Sequence, residues 1–195
     1  ENKGIELSIT TQNFVGEFNW STRVNLSANR NKVLKLYNGE PIDDLGRGSN
    51  RIEEGQPIGI FYSYHSLGVD PSTGDIVYED VNHDGVITAA DRTKVGNPHP
   101  KFIGGVTNTF TYKGFDLNIF FQFSYGNDVF HGSRMFLESL QGGDNQLEAI
   151  NRRWKNPGDI TDIPRATTGP SGELNKRVSS RFIEDGSYLR LKNLS

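Results

Sequence analysis

The chain has 195 residues, with 22 glycines, 11% aromatic residues and a single methionine, a balance that favours a turn-rich β protein over a helical one. Its net charge of −3, with the basic residues scattered rather than striped, excludes a nucleic-acid footprint. There is no cysteine, which excludes disulfides and thiol–metal sites without choosing a compartment, and no stretch approaches the roughly 20 apolar residues of a membrane helix.

Taken in order, Ile5, Leu7 and Ile9 alternate with Glu6, Ser8 and Thr10, the period of a half-buried strand. After a short turn at Val15-Gly16-Glu17, the residues Phe18, Trp20, Thr22, Val24, Leu26 and Ala28 line one face of a second strand, while Asn19, Ser21, Arg23, Asn25 and Ser27 line the other. This second strand is expected to run from about 18 towards 37. From Asn38 to Pro100 the pattern breaks up, punctuated by Gly39, Pro41, Gly46, Gly48, Gly55, Pro57 and Gly59, with Asp70-Pro71-Ser72-Thr73-Gly74 a turn by its own chemistry. Asn97-Pro98-His99-Pro100 delays the next strand until about Lys101.

Phe102, Val106, Phe110 and Tyr112 then share a face, with Asn108 a misfit among them. Lys113-Gly114 makes a tight connection to a partner strand whose apolar face is Phe115, Leu117, Ile119, Phe121, Phe123 and Tyr125. Asp116, Asn118, Gln122 and Ser124 lie opposite, with Phe120 the exception. A second excursion runs from Gly126 to about Gly186. In it Leu147, Ile150 and Trp154 fall at i, i+3 and i+7, which predicts a short amphipathic helix capped by Asp144, oriented by Arg152, Arg153 and Trp154 and ended by Pro157-Gly158. The chain leaves on the alternating run Tyr188 to Lys192. No initiator methionine, signal peptide or lipid motif is present, and both ends fall in strand patterns, so an excised fragment is expected.

Within the first excursion, Asp80-Val81-Asn82-His83-Asp84-Gly85-Val86-Ile87-Thr88-Ala89-Ala90-Asp91 is close to the calcium loop of EF-hand proteins. A hard cation needs six to eight oxygens, and the ligand positions of such a loop fall on Asp80, Asn82, Asp84, the Val86 carbonyl, Thr88 and Asp91. Gly85 stands where the chain must turn sharply, and Ile87 is the side chain such a loop buries. Two features depart from the pattern: the last ligand is the shorter Asp91 rather than Glu, and the entry Asp75-Ile76-Val77-Tyr78 reads as a strand, not a helix. The competing interpretation is an acidic turn in which Thr88 and Asp91 cap a short helical turn from Ala89 to Lys94.

The connections alternate between short (15–17 and 113–114) and long (38–100 and 126–186), and 18–28, 102–112 and 115–125 match the length a tilted strand needs to cross a bilayer. Short turns on one side and long loops on the other are the asymmetry of outer-membrane barrels, with Tyr112, Phe115 and Tyr125 placed as interfacial aromatics. Loop length puts the turns at 15–17 and 113–114 on the periplasmic rim and the 80–91 loop on the outer one. The expected fold is therefore all-β: an antiparallel transmembrane β-barrel segment, a partial open sheet of about five long strands, with long extracellular loops containing a short helix.

Several runs carry a family likeness. They are Tyr78 to Ile87, Gly96 to Gly105, Tyr112 to Leu117, Ser124 to Asp128, Arg153 to Pro164 and Gly186 to Leu194. Together they are similar to the C-terminal part of SusC/RagA-like TonB-linked outer-membrane receptors, and the likeness covers nearly the whole chain. It implies a 22-stranded barrel with a separate N-terminal plug that this sequence lacks, so that residues 1–195 form one C-terminal piece of the barrel. It further implies the outer membrane of a Gram-negative bacterium, a SusD-like surface lipoprotein as lid, TonB as energy source, and glycans or peptides as cargo.

Two other function classes compete. One is a soluble calcium-stabilised β-sandwich that binds carbohydrate, in which the phenylalanine face enters a core instead of lipid. The other is an enzyme, against which the sequence argues. Asp43-Asp44 and Glu53-Glu54 are adjacent along the chain rather than facing, and read as solvated loop charges. His65, His83, His99 and His131 lack metal-ligand spacing, and no nucleophile elbow or P-loop exists. Phe61, Tyr62, Tyr64 and His65 cluster as residues that could stack on a sugar or meet a lid, or pack the loop onto itself.

Overall fold

Two tight turns organise the sheet. At Lys113 and Gly114 φ is 47° and 83°, so both central residues are left-handed, as a type I′ hairpin requires. The turn after Phe14 is held by Asn19, whose side chain accepts from the Gly16 N–H at 3.2 Å and donates to the Gly16 carbonyl at 3.0 Å. The structure is a computed structural model and describes residues 1–43, 49–140 and 145–195.

In chain order the strands are β1 (Asn2–Phe14), β2 (Phe18–Asn31), β3 (Ile42–Asp43), β4 (Asn50–Ile52), β5 (Ile60–Tyr64), β6 (Ser66–Val69), β7 (Ile76–Tyr78), β8 (Arg92–Gly96), β9 (Phe102–Tyr112), β10 (Phe115–Tyr125), β11 (Asp128–Phe130), β12 (Ile183–Asp185) and β13 (Tyr188–Leu194). The helices are α1 (Gly132–Leu137) and α2 (Gly169–Asn175). The long strands form one open sheet in the order β1-β2-β9-β10-β13, antiparallel throughout. Register joins the predicted faces into a single surface: Val24 pairs with Val106, Val106 with Phe121, and Phe121 with Leu191. Phe18 and Phe115 both pair with Tyr112, so the two tight turns share one rim, and the excursion carrying residues 80–91 departs from the opposite one.

The sheet has no interior of its own. On the apolar face Ile5 is 77% exposed, Phe115 78% and Leu189 72%, so no second layer covers it. The opposite face is mainly polar, with Glu6, Ser8, Asn25, Ser27 and Gln122, and holds a hollow of about 400 Å³ whose lining also takes in Ile103 and Phe120. A sandwich would have buried the apolar face under another sheet about 10 Å away. The competing sandwich reading is therefore set aside, and the expected open barrel segment stands.

Hydrophobic burial is instead found in the excursions. Among the described residues the buried hydrophobics are Ile60, Phe61, Ile76, Tyr78, Ile163 and Phe182, none of them on a long strand. The two excursions interlock. Ser63 donates to the Val178 carbonyl at 2.6 Å, Tyr78 to the Leu174 carbonyl at 2.7 Å, and the Ile76 N–H to the Asn175 side chain at 2.8 Å. Arg165 grips Asp75 with two bonds of 2.8 and 2.9 Å. Trp154 of the second excursion lies against Gly74 of the first and donates its indole N–H to the Pro71 carbonyl at 2.9 Å.

Some local expectations are corrected. β2 ends at Asn31 rather than near 37, because the Val33 N–H turns away to the Gln56 carbonyl. The predicted helix over 147–154 is a 3₁₀ turn, Glu148–Arg152, with Trp154 beyond its end; Arg152 spends its guanidinium on Asp162 at 2.9 and 3.0 Å. The cap assigned to Asp144 lies outside the described residues, as does Asp44. Asp43 is not a solvated loop charge, since Arg51 holds it at 2.6 and 3.0 Å. Neither α1 nor α2 was expected; their short, glycine-containing sequences carry no helical period.

Candidate functional site

The wall is bounded by aromatic clusters at both rims. Near the tight turns Phe14, Trp20 and Phe110 stack in series, with centroids 5.8 and 5.7 Å apart, and Phe18 adjoins Phe110. At the far rim Tyr125 stacks on Phe102 at 5.0 Å. β9 and β10 are 11 residues each. No helix among the described residues is long and apolar enough to cross a membrane.

Both misfits of the alternation have partners. The Asn108 side-chain oxygen accepts from the Trp20 indole at 3.0 Å and from Thr22 at 2.8 Å. Phe120, on the polar face, lies over Gly105, where an added Cβ would come within 2.7 Å of the ring. The strand glycine thus makes room for an aromatic neighbour.

The outer layer carries the dense polar chemistry. Arg181 and Glu138, both nearly inaccessible, pair at 2.6 Å, and Arg134 of α1 joins Glu138 at that helix's C-terminal cap and Glu184 from β12. Burial pushes the Arg181 guanidinium below its ordinary pKa, with Glu138 opposing that shift. Tyr78 is raised to about 12 by burial of its hydroxyl. Such pairs hold a layer together at a high penalty for removing one member.

The sequence-predicted contact residues are mostly committed within this layer. Phe61 is buried, with its ring 6.4 Å from Phe130. Tyr62 lies under Arg51 at 3.6 Å, and Tyr64 and Tyr78 pack together under Arg177. His65 is exposed, its Nδ1 2.9 Å from Glu79. Sequence reasoning missed Arg134 and Arg181, which have no periodic signal and which reach Glu184 and Glu138 across 50 and 43 residues.

In the 80–91 loop, the backbone N–H groups of Val81, Asn82, Asp84, Gly85, Val86 and Thr88 all point at carboxylates. Asp80 accepts from Asp84 and Gly85, Asp84 from Val86, and Asp91 from the other three. The Asn82 amide donates to Asp84 at 2.8 Å. Thr88 and Asp91 form a reciprocal capping box around the 3₁₀ turn Ala89–Asp91, after which the chain enters β8 rather than continuing helically to Lys94. Asp91 has no accessible surface, and the Thr88 N–H above all holds its carboxyl below the usual range. Ile87 is half-buried, while His83 is exposed with φ of 59°. Among the described residues no three His, Asp or Glu side chains are grouped to hold a metal ion. The donor set thus fits calcium only in part: Asp80, Asn82 and Asp84 converge, but Asp91 is spent on the cap.

No protein-family model matches the sequence. Over its full length, however, the chain is 36% identical to TonB-dependent receptor P3 of Formosa agariphila and 27% identical to TonB-dependent receptor SusC of Bacteroides thetaiotaomicron. Along its whole length the chain is similar to a segment of the TonB-dependent receptors, SusC among them. It spans about a fifth of those relatives, 21% and 20% of their lengths. The fold agrees: the RagAB peptide transporter superposes on 99% of the chain with a TM-score of 0.83 at 24% identity, covering 22% of that protein. The same importer in its 'open-open' state gives a TM-score of 0.79. A SusC/RagA-like segment explains why one sheet face is bare and why the sheet stays open.

Proposed function

We propose that this chain supplies wall strands and outer loops to the C-terminal barrel of an outer-membrane TonB-dependent importer. The whole protein would take up glycans or peptides with a SusD-like lipoprotein over its outer mouth, drawing energy from TonB through its own N-terminal part. The carrying observation is the sheet itself, bare and aromatic-rimmed on one face and polar on the other, in a chain whose relatives are TonB-dependent receptors. The RagAB peptide transporter supports the import role by its name, and SusC supports dependence on TonB by its own; the lipoprotein lid rests on the family resemblance of the sequence. The role is transport, without catalysis. His65, exposed beside Glu79, is the member of the predicted contact group placed to face a lid.

The calcium role proposed for residues 80–91 rests on ligand spacing. The hydrogen bonding describes a capped turn that holds its carboxylates without an ion, so a cation there would be structural and would draw mainly on Asp80, Asn82 and Asp84. The test of the main proposal is to tag the intact receptor in its host and isolate it from membrane fractions. It should partition with outer membrane and bring down a surface lipoprotein, and its deletion should abolish growth on one oligomeric nutrient. Recovery in the soluble fraction with no associated lipoprotein would reject the proposal.

A further inference from the structure

The far edge of the bare face ends in cations. On β2 the bare-face positions run from Phe18 to Ala28, which at about 3.4 Å per residue and a tilt of about 40° span about 26 Å of height. That is the height of the apolar band on a barrel wall. The next position on that face is Arg30, about 5 Å beyond the band. On β1 the last apolar residue is Ile5, and the next on its face is Lys3, the register partner of Arg30. On β9 Lys101 directly precedes Phe102 and carries its Nζ to 5.8 Å from the centre of the Tyr125 ring, which is stacked on Phe102. Three adjacent strands thus pass from apolar wall to a cation, each just past the end of its own band.

These charges are poorly balanced by the protein. Arg30 donates its Nη1 to the carbonyls of Lys101 at 2.8 Å and Asn29 at 3.2 Å, which holds the guanidinium beside the end of β9. Among the described residues no carboxylate bonds it. Lys3 meets Glu1 at 2.8 Å, but the pair is exposed and contributes little. Asp185 feels the charge of Lys101 without bonding it. Like charges directly opposite, as Lys3 and Arg30 are, destabilise a sheet until an anion stands between them. Ammonium and guanidinium groups are donors without acceptors, so their partner must accept and be negative.

Position selects the anion. The polar zone of a bilayer begins where the apolar band ends and is about 5–7 Å thick. A surface that faces away from the barrel at that height meets lipid head groups, and a soluble partner reaches it only by displacing them. The acid of a lipid head group is its phosphate, and the chains below it have bare wall to lie on, Ile5 and Tyr125 being 77% and 50% exposed.

We propose that Lys3, Arg30 and Lys101 hold the phosphate of a net-anionic lipid whose acyl chains lie on Ile5, Phe102 and Tyr125. This rests on the lipid-facing reading of the bare sheet face. The test uses the intact receptor in vesicles, with a bimane dye on Ala28→Cys, the bare-face position next to Arg30, and any other cysteine replaced. Brominated-chain phosphatidylglycerol and brominated-chain phosphatidylcholine compete to quench the dye. Phosphatidylglycerol should be favoured by about fivefold for each basic residue engaged, so Lys3→Gln and Arg30→Gln should each lower the ratio about fivefold. Arg23→Gln, which removes a cation from the polar face of the same strand, should leave the ratio unchanged. Equal quenching by both lipids before any charge is removed overturns this proposal alone. Quenching by neither overturns it together with the lipid-wall reading. A ratio that survives Lys3→Gln with Arg30→Gln, or falls equally in Arg23→Gln, places the phosphate elsewhere and also overturns it. Loss of the preference in inorganic phosphate, but not in chloride of the same ionic strength, would show a free-anion site instead of a lipid one.

Discussion

An arginine placed at two neighbouring positions of β10 discriminates a lipid wall from a two-sided core. Phe121 is on the bare face between Val106 and Leu191; Gln122 is on the polar face between Gly105 and Arg190. Phe121 lies six residues from Phe115 in a strand of 11, so about 16 of about 26 Å of vertical span separate it from the tight-turn rim, near the middle of the bilayer. No carboxylate shares that face of β10 to pair with a cation. Phe121→Arg should therefore cost about 2–4 kcal/mol, the midplane penalty for a basic side chain on a barrel's lipid face. Gln122→Arg enters a polar surface and meets only cross-strand repulsion from Arg190, about 0.2–1 kcal/mol. The assay is denaturant unfolding of the intact receptor from phospholipid vesicles, with midpoints compared at common slope. Equal losses at the two positions would refute the reasoning, because a two-sided soluble core punishes both.

Asp84→Ala, on the calcium proposal, should lower the melting temperature in millimolar calcium and leave it unchanged in excess chelator; no calcium effect on unaltered protein would make the loop a capped turn only. Gly74→Ala combines a φ of +78° with a Cβ that would come within 2.4 Å of the Trp154 ring. It should destabilise the outer layer by about 2–4 kcal/mol through left-handed strain and loss of the indole bond to Pro71, read as faster proteolysis of the excursions. Asp75 is held below the ordinary carboxylate range, first by Arg165 and then by Asn175. Its stabilisation is therefore complete above about pH 4 and lost as pH falls through the depressed value, so hydrogen exchange in the excursions should rise in acid and rise less steeply in Asp75→Asn.

The long strands, their faces and their shared rim were legible because side-chain alternation is a local signal, and because Lys113-Gly114 is turn chemistry that needs no tertiary context. The long excursions were not legible in the same way. Asp75 finds Arg165 and Asn175, and Ser63 finds the Val178 carbonyl, across roughly a hundred residues, and no periodicity in either partner announces the pairing. Asn108 shows the limit most clearly. It interrupts the alternation in sequence, yet its reason is Trp20 and Thr22 on a strand more than eighty residues earlier. The helix expected from Leu147, Ile150 and Trp154 failed because three apolar residues at helical spacing also suit a 3₁₀ turn followed by an extended anchor.

The placement of the core follows from the solvent on each side. A wall strand in lipid gains little from burying side chains, since the tails around it are as apolar as leucine, and its cohesion comes from the β ladder. The excursions stand in water and must make a core of their own, which Ile60, Ile163 and Phe182 form from both of them at once. Sharing one core has a mechanical consequence. The first excursion joins β2 to β9 and the second joins β10 to β13, so bonds between them tie the upper ends of four wall strands. Trp154 on Gly74 and Arg165 on Asp75 are the most direct of these ties, and loosening them should splay that rim while the tight-turn rim keeps its register.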